Sequence, residues 1–167
     1  MNDFVMADPD KCIGCRTCEI ACVLAHQMEG GLSALTPENF ASRLHVVETA
    51  NITVPIQCRQ CENAPCVQAC PKNALQQGNH CVEIHENDCI GCKACMLACP
   101  YGAIEIRKAD AGAHMQVIKC DLCKKQTAGP ACIGVCPTKA LKKIKQQAIV
   151  DKISEKRKYA AGFMRAY

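Results

Sequence analysis

Apolar and polar residues alternate over short stretches of this chain. Cys81-Val82-Glu83-Ile84 and Met115-Gln116-Val117-Ile118 change character at nearly every position, which predicts hairpin strands with one face on a core. Three segments share a second design: CPKNAL (Cys70 to Leu75), CPYGAIEI (Cys99 to Ile106) and CPTKALKKI (Cys136 to Ile144). Each reads as a short helix that brings in a cysteine, a proline that stops the helix because it lacks an N–H and fixes φ, and then an apolar strand. Beyond Ile144 the period lengthens. Ile149, Ile153, Ala160, Phe163 and Tyr167 fall near one helical face, while Lys152, Lys156, Arg157 and Lys158 lie mostly off it. The pattern predicts an α+β fold of short hairpins and short helices, ending in a basic amphipathic helix over 146–167. No stretch approaches the ~18 consecutive apolar residues of a membrane span, so no transmembrane segment is expected.

Composition limits how such a fold can be held together. The 167 residues include three Phe, three Tyr and no Trp, which leaves little aromatic material for an ordinary core. Chains with so small a core depend on metals or other staples, and metal binding then becomes part of the folding free energy. A largely unfolded apo-protein is expected.

The staple is legible in the cysteines. Sixteen of seventeen fall into four groups of four: Cys12, Cys15, Cys18, Cys22; Cys58, Cys61, Cys66, Cys70; Cys89, Cys92, Cys95, Cys99; and Cys120, Cys123, Cys132, Cys136. The first and third read C-x2-C-x2-C-x3-C, and in the second, third and fourth groups the last cysteine is followed at once by Pro71, Pro100 and Pro137. That is the ligand run in which thiolates hold cubane iron–sulfur clusters. Zinc takes four ligands per site, usually from two well-separated knuckles, and does not call for four sulfurs within eleven residues. A disulfide framework needs an oxidising compartment, and Met1 to Lys11 carries three aspartates and no apolar run of export length. Sixteen thiolates therefore imply four [4Fe–4S] clusters. In two-cluster ferredoxins the fourth cysteine of each run ligates the other cluster, so the four groups should form two pairs.

Charge is uneven along the chain. Residues 1–137 hold eleven Lys/Arg and fourteen Asp/Glu, a balance of −3, whereas 138–167 hold nine Lys/Arg and two acids, a balance of +7. Each oxidised cubane with its thiolates adds about two more negative charges to the body. Nucleic acid is a poor partner for so acidic a body, and none is expected.

CIGCRTCEIAC, CRQCENAPCVQACP, CIGCKACMLACPYGAI and CDLC with a distant CIGVCP together resemble the four-cluster ferredoxin-type electron-transfer subunits of molybdopterin oxidoreductases. With the segment Leu35 to Phe40 and Arg43 to Val46, the likeness is nearest to the small subunits of formate hydrogenlyase and hydrogen-dependent carbon dioxide reductase. It covers roughly residues 1–145. The resemblance implies pairing of the first group with the fourth and of the second with the third. One cluster would then sit on Cys12, Cys15, Cys18 and Cys136, and a second on Cys120, Cys123, Cys132 and Cys22. The third would sit on Cys58, Cys61, Cys66 and Cys99, and the fourth on Cys89, Cys92, Cys95 and Cys70. It also implies two ferredoxin-like two-cluster units, one inserted in the other: an outer unit of 1–50 and 112–145, and an inserted unit of 51–111. Some nitrate-reductase relatives have tryptophan where this chain has Cys95 and hold a three-iron cluster there; Cys95 implies a cubane. Two departures are Val23 in place of a proline after Cys22, and eight residues between Cys123 and Cys132.

The function so implied is non-catalytic single-electron relay between a molybdenum- or tungsten-dependent formate dehydrogenase subunit and a hydrogenase or other ferredoxin-like subunit. An anaerobic, cytoplasmic setting goes with it. An accessory maturation protein and a freestanding polyferredoxin are the alternatives. No phosphate-cradling loop, nucleotide fingerprint or nucleophile elbow is visible. The 146–167 helix is expected either to fold back on the body, to dock on another subunit or a second copy, or to lie on a membrane surface.

Some remaining residues carry lesser expectations. Gly14 and Gly91 sit between cysteines, where the chain must turn at positive φ. Ile13 and Ile90 are expected to shield the clusters from water, and Tyr101 to pack. Cys81, the cysteine left over, reads as a buried inert thiol. His26, His45, His80, His85 and His114 show no paired spacing and are taken as non-ligands.

Overall fold

The structure, a computed structural model, describes residues 2–26, 30–108 and 115–163; His114 and Tyr167 lie outside them. Eight short strands are β1 (Phe4–Ala7), β2 (Leu44–Glu48), β3 (Thr53–Gln57), β4 (Leu75–Gln77), β5 (Val82–Ile84), β6 (Glu105–Lys108), β7 (Met115–Ile118) and β8 (Leu141–Ile144). The helices are α1 (Thr17–His26), α2 (Pro65–Gln68), α3 (Ala94–Ala98), α4 (Ala131–Gly134) and α5 (Gln146–Phe163). The α+β class and the Met115–Ile118 strand are as expected from sequence, while Cys81 stands just before β5.

All strands pair antiparallel and in twos. The pairs β2–β3, β4–β5 and β6–β7 join neighbours, whereas β1 pairs with β8 across the length of the chain, Phe4 opposite Ile144. Two-stranded ribbons are not stable alone. They lean on two cores. One gathers Val5, Leu44, Val46, Leu122 and Leu141 around Cys18, Cys22 and Cys132. The other gathers Leu75, Val82, Ile104 and Val117 around Cys66 and Cys95. Each buried Leu or Val contributes about 1.5–3 kcal/mol, and so few of them leave the cysteines as a large share of the interior.

The helices correct one detail of the sequence reading. α2, α3 and α4 carry the third cysteine of their groups and stop before the fourth. The residue before proline is pushed away from helical ψ, and Cys99, ahead of Pro100, is extended at φ −75° and ψ 114°. Where Val23 replaces the proline, α1 runs on to His26 and holds both Cys18 and Cys22. Helix packing follows the same logic: α1 lies against α4, and α2 against α3.

The final helix is not folded back on the body. From Gln146 to Gly162 its residues are exposed except for partly buried Ile149 and Ser154. Its start is tied down by the Gln146 N–H, which donates to Asp3 Oδ1 at 3.2 Å. Among the described residues no helix is long and apolar enough to cross a membrane.

Candidate metal centre

The first C-x-x-C loop of each group turns in the same way. Its third residue is left-handed: Gly14 (φ 70°), Gln60 (51°), Gly91 (69°) and Leu122 (60°). That conformation turns the chain so that its two cysteines face one side. At Gly14 and Gly91 glycine is also required by space. A Cβ on Gly14 would lie 3.0 Å from Thr53 Cγ2, and one on Gly91 would lie 2.6 Å from Met115 Cγ.

Two of the loops form shallow hollows. Cys12, Cys15 and Cys18, with Cys136 from the far end of the chain, line a hollow walled by Val46 and Leu141. Cys89, Cys92 and Cys95, with Cys70, line another walled by Leu75 and Val117. Cys12 and Cys89 each follow a single tight 3-10 turn, Pro9–Lys11 and Glu86–Asp88. Cys15 and Cys92 are exposed. Ile13 and Ile90 line the mouths but are 67% and 58% exposed, so they rim the hollows rather than seal them. Tyr101 is also half exposed, with the Arg59 guanidinium 5.9 Å from its ring centre.

Sulfur electrostatics in the two hollows match. Burial and then Glu19 push the Cys18 thiol up to about 11, and burial raises Cys95. At Cys70 and Cys136 burial acts in the same sense but is outweighed by hydrogen bonds from the turn that follows, and both thiols are lowered. The Ala74 N–H reaches Cys70 Sγ at 3.2 Å. The Thr17 hydroxyl, donating at 3.4 Å, lowers Cys15.

The other two sets have no exposed cysteine, though Cys61 and Cys99 are only partly buried, like Cys12 and Cys89. Cys22, Cys123 and Cys132 are buried, and Cys120 is partly so. Burial lifts Cys120 to about 12 and raises Cys132, whose thiol also feels Cys120, Cys22 and Cys123. Cys58 and Cys66 are buried, and burial takes Cys66 up to about 11, with Cys58 and Cys99 adding to the rise. Backbone N–H groups of Arg43, Gln60 and Ala103 point at Cys22, Cys58 and Cys99 Sγ at 3.4, 3.4 and 3.5 Å. Soft thiol donors arrive in fours, with apolar walls and N–H groups aimed at sulfur; that donor set suits iron–sulfur clusters.

Groups that the sequence did not single out surround the set of Cys22, Cys120, Cys123 and Cys132. The Arg43 guanidinium meets Asp121 at 2.7 Å, and His26 Nε2 meets the same carboxylate at 3.0 Å. His26 Nδ1 donates to the Cys22 carbonyl at 2.6 Å. Burial opposes protonation of His26, but Asp121 and Cys22 outweigh it and raise the imidazole to about 9. His26, Asp121 and Cys123 offer ligand atoms within 4.8 Å of one another. Both imidazole nitrogens are engaged and the carboxylate is paired to arginine, so His26, Asp121 and Arg43 form an ion-pair network. Lys119, Gln57 and Gln60 are buried as well, and no local pattern marks them. Cys81 is 2% exposed, a core thiol as expected.

Comparison with known proteins adds a family. Residues 49–146 match the family described as 4Fe-4S dicluster domain, and residues 9–22 the 4Fe-4S binding domain. The chain is 44% identical to electron transport protein HydN of Escherichia coli (strain K12) over 172 residues, covering 96% of this chain and 98% of that protein. Over 141 residues it is 47% identical to the putative electron transport protein YsaA of the same strain, covering 84% and 88%. Hydrogenase-4 component A, also of that strain, is 33% identical over 196 residues, covering 98% of this chain and 92% of that protein.

Proposed function

This chain belongs to the [4Fe–4S] dicluster-domain family of ferredoxin-type electron-transport proteins, and from that premise we propose that it relays single electrons along four cubanes within a larger oxidoreductase complex. The observation that carries the reading is the convergence of Cys12, Cys15, Cys18 with Cys136, and of Cys89, Cys92, Cys95 with Cys70, on two like hollows. The remaining ligand sets are Cys22, Cys120, Cys123, Cys132 and Cys58, Cys61, Cys66, Cys99, supported by the packing of α1 on α4 and of α2 on α3. The chain then divides into an outer unit of 1–50 and 112–145 and an inserted unit of 51–111, a division supported by the β1–β8 pair that closes the ends, with the β2–β3 and β6–β7 pairs bridging its two seams.

Bound clusters supply one-electron storage at each position. The residues do the rest. Thiolates fix the cubes, the left-handed third residues orient the loops, and the turns after Pro71 and Pro137 aim N–H groups at sulfur. Burial of Cys58, Cys66, Cys123 and Cys132 keeps water from the middle of the path. The exposed sulfurs Cys15 and Cys92 mark the ends at which electrons enter and leave. The partners are a molybdenum- or tungsten-dependent formate dehydrogenase subunit and a hydrogenase or another ferredoxin-like subunit, in the cytoplasm; the name of hydrogenase-4 component A supports the second. The exposed helix α5 is the segment offered for docking on a partner or a second copy.

An anaerobic pull-down with iron, sulfide, molybdenum and tungsten assayed on one sample tests this. About sixteen irons per chain with a stoichiometric second metal is the expected result. The same iron with no second metal would point to a freestanding carrier or a maturation protein.

A further inference from the structure

Lys119 is 0% exposed, at the end of β7 and one residue before Cys120. A buried ammonium is costly unless opposite charge and hydrogen-bond acceptors surround it. Its Nζ donates to the Val82 carbonyl at 2.7 Å and to the Cys120 carbonyl at 2.9 Å. Among the described residues no carboxylate comes within ion-pair distance of it.

Gln60, also buried, completes the arrangement. Its Nε2 donates to the Cys120 carbonyl at 2.8 Å, and its Oε1 accepts the Val82 N–H at 2.9 Å. Both polar groups of the Val82 peptide are thus held, one by each side chain, and the Cys120 carbonyl accepts from both. The backbone N–H of Gln60 reaches Cys58 Sγ. The lysine is therefore held between the Cys58 loop and the Cys120 loop.

We infer that Lys119 is the positioning residue that sets the charge between the two inner clusters, one on Cys58, Cys61, Cys66 and Cys99 and the other on Cys22, Cys120, Cys123 and Cys132. The inference rests on the ligand sets proposed above. Thiolate-bound cubanes are anionic, and reduction adds one more negative charge to each. A fixed cation in a dry interior stabilises the reduced form of both neighbours far more than it would in water. The hollows of Cys12 and Cys89 have no such buried cation among their lining residues. The middle of the relay is then the place where an electron rests most easily, and the ends are the places it leaves from.

The test is a redox titration of the anaerobically purified chain followed by electron paramagnetic resonance, wild type against Lys119→Met. Methionine keeps the volume and removes the charge. Two of the four couples should fall by a tenfold or larger shift in the reduction equilibrium, about 59 mV or more for one electron, while the other two stay in place. Iron content, read on the same samples, should not change. Lys119→Gln, which keeps an N–H donor, carries the measurement where the methionine variant loses iron. Four unmoved potentials with iron retained overturn the inference, as does a shift of an outer couple or of all four alike. Loss of iron from both variants makes the lysine a folding requirement and also overturns its charge-setting role. Failure of the four-cluster reading is separately visible, because the wild type itself would then hold other than about sixteen irons.

Discussion

The loops at the two ends of the proposed relay and the loops between them share one turn but fill it differently. At the ends the left-handed third residue is glycine, Gly14 or Gly91, and a sulfur is open to solvent. In the middle the same conformation is held by Gln60 and Leu122, although a side chain there costs roughly 1–2 kcal/mol. Each returns something for that strain. Leu122 packs into the core around Cys22 and Cys132, and Gln60 ties Val82 to Cys120. Glycine serves where the loop must come close to a neighbour and stay thin. A side chain serves where the loop must also bind two parts of the chain together. In the proposed relay one ligand motif would thus serve both as entry point and as insulated step, separated by burial and by the Lys119 charge rather than by the ligands.

The largest expected effect is erasure of both regions. Removing iron should abolish the slow-exchanging amides throughout, measured by hydrogen exchange on the anaerobic apo-protein. Persistence of native protection would contradict the dependence of so small a core on its metal. Mild chelation should separate the regions in time, with about eight irons leaving early from the exposed ends and about eight later from the middle.

A single ligand should separate them by position. Cys15→Ser is expected to leave about twelve irons and a folded chain, whereas Cys58→Ser should lower total iron further and destabilise the protein. Equal losses would erase the distinction between ends and middle. Arg43→Ala strips Asp121 of a partner beside the Cys120 loop and should cost on the order of 2–3 kcal/mol in denaturant unfolding of the loaded protein. Gly91→Ala should cost about 2 kcal/mol, through positive φ and the contact with Met115, and more than Gly14→Ala, whose neighbour stands farther off. The smallest effect belongs to the tail. Removing residues 146–167 should leave iron and melting temperature nearly unchanged while altering assembly size in sedimentation; an unchanged size would remove docking from the role of α5.

Sequence made the ligand runs and the proline stops legible because both are local: a cysteine spacing, and a residue without an N–H. The same rule misplaced the fourth cysteines inside helices, since proline acts on the residue before it as well, and Cys99 is extended for that reason. Leu75 and Leu141 were readable as core from the apolar strands that follow their prolines. The β1–β8 pair was not, because nothing near Phe4 announces a partner 140 positions away. Lys119 was the least legible of all. A lysine after Val117 and Ile118 looks like the solvated end of a strand, and only Gln60 and Val82, brought in from two distant parts of the chain to meet the Cys120 loop, turn it into a buried charge. The exposure of Ile13 and Ile90 escaped prediction in the same way, since loop sequence does not say which side faces water.

The central claim is that four thiol sets, two open and two enclosed, hold four cubanes. Mössbauer spectroscopy with iron quantitation, on protein purified anaerobically from isotopically enriched iron medium, tests it most directly. The account predicts about sixteen irons per chain, all in [4Fe–4S] signals. About eight irons, a three-iron signal in the intact protein, or zinc in place of iron would contradict it.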